Sequence, residues 1–350
     1  MKKKKIYAWS SELSDFRGEG ILALNFIYLL SKKFNKKILC ESNDGKKVIF
    51  YKNRIINDFK NDKINLNFKE KYISPFIGIF KIWKHHLKGY KTTYVNFLPL
   101  WNIFIYLLLP KNTILGPITG ANVSQNNYSI QNIIRKLFFP LLFRISVLIM
   151  FNKWKNFIFS TDILKENIPK EKLRKVVFNF QLLRLNEKKN SFKKKKIDFL
   201  IYYRKHSNKF ENTTLNFIKK LSCKFSVYVV GDLLECERVK NLGVISSKKI
   251  NYYLSVSRMT VSSDENLITN FNLDCINNDV KILVGPKLNI PSILKKIKFY
   301  KVSKREMDYE NNKLYLLVRK IRKTKIINKK YSFLNILKIK VDNYFNSFLK

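Results

Sequence analysis

Two cations, Arg204 and Lys209, stand just past an apolar run, residues 197–203, that reads as a β-strand, and a helical pattern follows them. In open α/β sheets ligands sit at the carboxyl ends of strands, where loops and helix N-termini face them, so cations placed there suit a phosphate-bearing ligand. Arg supplies a planar fork for two oxygens and Lys a mobile point charge. The other reading is two surface cations in a chain that has 69 Lys and Arg residues. Acidic residues are scarcer, 25 in all, which gives weight to Asp264 and Glu265, which follow directly on a second segment that reads as a strand, residues 259–263. Asp274 follows, on a helical stretch leading into the run 280–284. Such a carboxylate can accept hydrogen bonds from vicinal ribose hydroxyls, or stabilise a helix N-terminus as a fixed charge.

These residues need a scaffold, and length and composition bound it. A chain of 350 residues suits two α/β units better than one core. Hydrophobic residues make up 46% of it, enough to offset the ordering entropy of folding. The net charge of +44 would suit a nucleic-acid binder, but heavy use of Lys, Asn, Ile, Phe and Tyr with few Gly and Pro is also the bias of an AT-rich coding sequence. No reading module, and no set of aromatics interleaved with cations on one strand face, supports nucleic-acid recognition.

The cysteines Cys40, Cys223, Cys236 and Cys275 form no CxxC pair, and no Asp-x-Asp motif is present, so neither metal nor cofactor is expected. His85 and His86 sit in a helical stretch without a nearby carboxylate or cysteine and read as surface or packing residues. The basic start passes straight into Ile6-Tyr7-Ala8-Trp9, too short and polar for a secretory signal, which predicts a cytoplasmic location. Two apolar stretches, residues 97–109 and 137–151, are broken by Pro99, Asn102, Pro140 and Arg144 and fall short of a spanning helix. Each is either a buried helix or a segment lying on a bilayer, with its cations towards anionic headgroups at the inner face of the membrane.

Along the chain, a strand at 5–10, a loop holding Gly18 and Gly20, a helical pattern from Leu22 to Leu30 and a strand at 37–41 read as a right-handed βαβ crossover. Further strands are expected at 93–97, 113–115, 157–160 and 176–180. Residues 185–196 turn Asn-, Lys- and Ser-rich and read as a linker. The alternation then restarts with strands at 197–203, 225–230, 242–245, 259–263 and 280–284 and helices at 213–221 and 249–256. A stripe from Leu334 to Phe348 must bury against something. The fold class is therefore α/β, two Rossmann-like doubly wound domains, 1–185 and 197–303, with C-terminal helices at 304–350 packing back on the first.

A strand ending in Arg204-x4-Lys209, then Ser262-x2-Glu265, then Asp274 and a strand resembles retaining glycosyltransferases of the GT-B fold, whose two domains face a cleft. The resemblance implies that Arg204 and Lys209 contact the donor diphosphate, that Glu265 lies near the transferred sugar, and that Asp274 takes the ribose. Asn266 and Leu267 stand where the family has a Gly-rich donor loop, and Asp274 replaces its second Glu with one more residue of spacing. Gly116-Pro117-Ile118-Thr119-Gly120 resembles a Gly-Pro loop of bacterial cell-surface sugar transferases, and Gly18 and Gly20 match the family's acceptor-side Gly loop in position. The implied activity is transfer of a sugar from a nucleotide diphosphate sugar to a glycan or lipid-linked acceptor, with Arg204, Lys209 and Glu265 as the catalytic set. Its rivals are a nucleotide-sugar epimerase of the same architecture, which would need converging acid and base groups, and a basic nucleic-acid-binding protein.

Overall fold

The computed structural model describes residues 5–13, 18–43, 47–52, 54–55, 68–96, 98–120, 130–185, 194–205, 209–295, 297, 299–324 and 332–348. The chain divides into two units, Met1–Gln181 with Ile336–Lys350, and Leu182–Asn335. Most of the linker expected at 185–196, residues 186–193, lies outside the described residues.

The first unit runs β1 (Ile6–Ser10), α1 (Gly18–Phe34), β2 (Ile38–Ser42), β3 (Lys47–Tyr51), β4 (Arg54–Ile55), α2 (Phe68–Leu87), β5 (Lys91–Tyr94), α3 (Ile103–Leu108), β6 (Ile114–Leu115), α4 (Ile130–Lys153), β7 (Phe157–Ile158) and β8 (Val176–Val177). Its main sheet has the order β4-β3-β2-β1-β5-β6. β1, β2, β5 and β6 are parallel, whereas β3 turns back antiparallel on β2 and β4 on β3. β1 is buried along its whole length, which is why Ile6-Tyr7-Ala8-Trp9 is a continuous run with no polar alternation. α1 buries Leu22, Phe26, Ile27, Leu30 and Phe34, one stripe at helical spacing, and Asn35 ends it at φ 48°.

Helix α2 lies against β1 and β5 at unusually close range. A Cβ on Gly78 would fall 2.1 Å from Trp9 Nε1, so only glycine admits the indole. Around that contact Lys81 lies over the Trp9 ring and pairs with Glu41, Tyr7 donates to Glu41 at 3.0 Å, and His85 stacks on Tyr7 with centroids 3.6 Å apart. His85 is a packing residue, as the sequence suggests.

The outward faces of three neighbouring helices are apolar. In α2, Ile73, Phe76, Phe80, Trp83 and Leu87 recur at steps of three and four and are exposed, Phe80 by 70% and Leu87 by 78%, while Ser74, Gly78 and Ile79 face inward. α3 exposes Phe104, Leu107 and Leu108, and α4 exposes Ile133, Leu137, Leu141 and Leu148. Trp83 Nε1 donates to Leu108 O at 2.7 Å, and Lys153 Nζ donates to the carbonyls of Tyr106, Leu107 and Leu109, which ties the three helices together. Each of these helices therefore buries one face and exposes another apolar one.

The second unit runs β9 (Ile197–Tyr203), α5 (Asn212–Ser222), β10 (Val227–Gly231), β11 (Val239–Gly243), α6 (Ser247–Val256), β12 (Ser257–Val261), α7 (Asn270–Asn277), β13 (Lys281–Val284), β14 (Phe299–Lys301), α8 (Lys304–Met307) and α9 (Asn311–Lys323). The strand order is β11-β10-β9-β12-β13-β14, parallel throughout. This is the doubly wound order in which the winding direction reverses between the first and fourth strands. Each unit is thus a Rossmann-like α/β layer structure.

The assignment of 304–350 as one set of helices against the first domain needs correction. Leu314, Val318 and Ile321 of α9 lie in one core with Phe199, Met259 and Leu283 of the second unit, and Lys281 Nζ donates to the carbonyls of Ile321, Arg322 and Thr324. A cation on the last carbonyls of a helix opposes its dipole and satisfies its orphan acceptors, so α9 is held where β14 delivers it. Only Ile336–Lys350 belongs with the first unit. There α10 (Ser332–Asn346) sets Phe345 edge-on to Phe26 at 5.4 Å, and Tyr344 donates to Leu115 O at 2.5 Å.

Gly78→Ala should lower stability by about 1–3 kcal/mol, because the new methyl overlaps the Trp9 ring. A denaturant titration checks this, and Gly89→Ala, where an added Cβ meets nothing within 4 Å but φ is +76°, separates overlap from backbone strain.

Candidate functional site

In the second unit β10 and β11 extend to one side of β9, and β12, β13 and β14 to the other. The carboxyl ends of β9 and β12 therefore flank the winding reversal, where two successive loops leave in opposite directions and open a crevice. Arg204 and Lys209 follow β9, and Asp264 and Glu265 follow β12. Lys209 Nζ pairs with Glu265 Oε2, and the backbone N–H of Asp264 donates to Lys209 O at 2.8 Å. Both side chains are part-exposed, 26% for Lys209 and 21% for Glu265, so a ligand can reach them. Arg204 is exposed on the same loop, whose residues 206–208 lie outside the described residues.

Asp264 has a different task from its neighbour. Its carboxylate accepts from Glu211 N at 2.9 Å and Thr214 Oγ1 at 3.0 Å, which fastens the loop after β12 to the start of α5. Burial raises its pKa, opposed by those two hydrogen bonds. Gly285 closes over it, since a Cβ there would lie 2.8 Å from Asp264 Oδ1. The two acids are thus split, Asp264 anchoring the loop and Glu265 facing Lys209.

Three donor-side residues sit otherwise than the sequence suggests. The side chain of Asn266 is engaged by its own loop, accepting from Ile268 N at 2.8 Å. The side chain of Leu267 is buried, so only its backbone can face a ligand, and its carbonyl accepts from Asn272. Asp274 is the fifth residue of α7 and not at its start, 7% exposed, with Oδ1 2.7 Å from Arg184 NH2. Burial raises its pKa while Arg184 lowers it. A ribose hydroxyl would reach this carboxylate only in competition with the Arg184 ion pair. The pair holds the entry of the chain into the second unit, where Asn277 also donates to Arg184 O at 3.0 Å.

The acceptor-side glycines also change meaning. Gly18 and Gly20 belong to the first turn of α1 and not to a loop. A Cβ on Gly116 would lie 1.9 Å from Val95 O, and one on Gly120 would lie 2.5 Å from Leu164 Cδ1. At both positions the missing Cβ makes room for the protein's own backbone or side chain. Thr119 is half-buried and its amide donates to Leu98 O at 3.1 Å.

Two residues not picked out in the sequence lie at the corresponding edge of the first sheet. Asn96, buried after β5, accepts from Ser11 N and Ser11 Oγ, each at 2.8 Å, and donates to Glu12 O at 2.9 Å, so it welds the ends of β1 and β5. Glu19, in the first turn of α1, has a buried Oε2 without a hydrogen-bond partner. Burial, with a smaller push from the charge of Glu12, raises its carboxyl from the ordinary 4.5 to about 7. The scarcity of acids was the one available pointer to Glu19. Among the described residues, no group of three His, Cys, Asp or Glu side chains could hold a metal ion.

No protein-family model matches the sequence, and no curated protein matches it. Solved structures do match its fold. The chain is similar to a glycosyltransferase from Rickettsia africae at 12% identity and a TM-score of 0.52, covering 99% of each chain. It is similar to a sucrose-phosphate synthase from Thermosynechococcus elongatus at 10% identity and a TM-score of 0.53, covering 99% of this chain and 95% of that one. It is similar to a protein assigned as a UDP-N-acetylglucosamine 2-epimerase from Listeria monocytogenes at 10% identity and a TM-score of 0.54, covering 99% and 98%. The fold is that of the GT-B class, shared by transferases and epimerases.

Arg184→Ala should cost about 3 kcal/mol, because it leaves the Asp274 carboxylate buried and unpaired, and a thermal melt reads the loss. Glu19 adds a pH dependence. Its folded pKa of about 7 lies above the ordinary 4.5, so the folded state holds the extra proton and stability falls as pH rises between those values. Melting midpoints from pH 4.5 to 8 should decline in wild type and decline less in Glu19→Gln.

Proposed function

We propose that the chain is a glycosyltransferase that moves a sugar from a nucleotide diphosphate sugar to a cell-surface glycan or lipid-linked acceptor. The observation that carries this reading is the Lys209–Glu265 pair beside Arg204 at the winding reversal of a fully parallel sheet. A diphosphate competes with Glu265 for Lys209, and Arg204 lies on the same loop to take further oxygens. Glu265, released from Lys209, then accepts from a sugar hydroxyl. As the bond from the anomeric carbon to the diphosphate breaks, negative charge grows on the leaving oxygen. Fixed cations stabilise that charge more than the ground state. The acceptor hydroxyl oxygen takes the sugar and its proton leaves with the diphosphate, with configuration retained. No metal or other cofactor enters this scheme, and the enzyme works in the cytoplasm at the inner face of the membrane.

The epimerase reading shares the fold and differs in what it needs, converging acid and base groups around one sugar. In the second unit Asp264 is bonded to the start of α5 and Asp274 is paired with Arg184, which leaves Glu265 as the carboxylate facing the candidate donor loop among the residues singled out. Incubation with a nucleotide sugar alone separates the two, since an epimerase converts it without an acceptor.

Arg204→Ala and Lys209→Ala should each slow transfer about a hundredfold, roughly 3 kcal/mol of leaving-group stabilisation, with the Arg change at least as damaging. Melting temperatures should barely move, because a part-exposed ion pair contributes about 0–1 kcal/mol. Steady-state transfer beside a melt of each variant tests this, and unchanged turnover removes both residues from the site.

A further inference from the structure

The apolar outward faces of α2, α3 and α4 need an occupant. Amphipathic helices on a sheet normally turn their polar stripe to water. Here α2 is apolar on both sides, with Ile79 and Ile82 buried inside and Phe76, Phe80 and Leu87 exposed outside. Adjoining apolar faces on three helices that are hydrogen-bonded to one another mark an interaction surface rather than scattered exposed residues.

We propose that this face is a docking surface for an anionic lipid bilayer, on which the three helices lie without crossing. Charge argues for that occupant. α4 contains no Asp or Glu, and its exposed side includes Lys136 and Arg144, while α2 ends with exposed Lys84 beside Trp83 and is followed by exposed Lys88. α3, between them, carries no charged residue at all. Cations flanking an apolar stripe, with an aromatic at the margin, match the layering of headgroups over acyl chains. A second copy fits poorly. An isologous contact would oppose these cations to themselves in a chain of net charge +44. Insertion is shallow, because no helix among the described residues is long and apolar enough to cross a membrane.

The inference deepens the peripheral membrane contact proposed above by naming the surface that makes it, and rests on that reading only for the location. Lipid binding is therefore measured on the full chain with neither donor nor acceptor, so that a failed transfer assay leaves the result intact and the reverse holds too. The experiment is flotation with phosphatidylglycerol-containing vesicles and with pure phosphatidylcholine vesicles, comparing wild type, Phe80→Asp with Leu137→Asp, and Arg144→Glu. All three side chains are exposed, and a melt of each variant confirms that the fold is kept. Wild type should float with the anionic vesicles, less with the neutral ones, and the double variant should lose at least about tenfold in partitioning. Arg144→Glu should weaken binding to the anionic vesicles only. Absence of flotation, equal flotation of the folded double variant, or a wild-type dimer in solution that the double variant abolishes would overturn the proposal.

Discussion

Every strand pairing in the second unit is parallel, and a parallel sheet sends the carboxyl ends of all its strands to one edge. Parallel neighbours need a crossover, so each strand is followed by a loop and usually a helix before the next begins. The residues after β9 and those after β12 are more than fifty positions apart in the chain, yet the topology makes them neighbours. Lys209 and Glu265 meet for that reason alone. The backbone hydrogen bond from Asp264 to Lys209 then holds one loop to the other, and the bonding of Asp264 to the start of α5 fixes both to a helix. A lysine on a free loop would sample many positions, whereas this one is held beside Glu265.

Close approach is the second organising constraint. The glycines that matter here are the ones whose missing Cβ is replaced by another part of the protein: the Trp9 indole at Gly78, the Val95 carbonyl at Gly116, Asp264 at Gly285, and the Tyr203 carbonyl at Gly231, where φ is +108°. In a chain with ten glycines these positions set how near a helix can come to a sheet and a loop to a carboxylate. Protein interiors tolerate little volume change, so the spacing of the candidate site depends on them as much as on its charged residues.

What was legible in the sequence follows from the range of the interactions involved. β1, β9 and the helices after them are written in local patterns, a continuous apolar run for a strand covered on both faces and a stripe for a helix, and they lie where those patterns put them. The strand read at 242–245 begins three residues earlier, at Val239, because Val244 is exposed and Asn241 bonds the backbone of Leu234, a pairing that apolarity does not announce. The antiparallel strands β3 and β4 went unread because they interrupt a βα alternation. At the candidate site the residue types were legible and the partners were not. Arg184 stands ninety positions before Asp274, and no periodicity connects them. Asn96 and Glu19 matter through what surrounds them, and Asn96 is one of many asparagines.

The ion pair between Lys209 and Glu265 bears on selectivity. The lysine already has a carboxylate for company, so an incoming anion gains only the difference between two partners, and it strands the glutamate unless something on the ligand can donate to it. A simple anion such as chloride or sulfate has no proton to donate to the glutamate. A molecule that carries an anionic group and hydroxyls at the right separation satisfies both ends together. On the proposed reading the pair is a two-key lock, favouring such a molecule over the simple anions that a chain of this charge would otherwise collect.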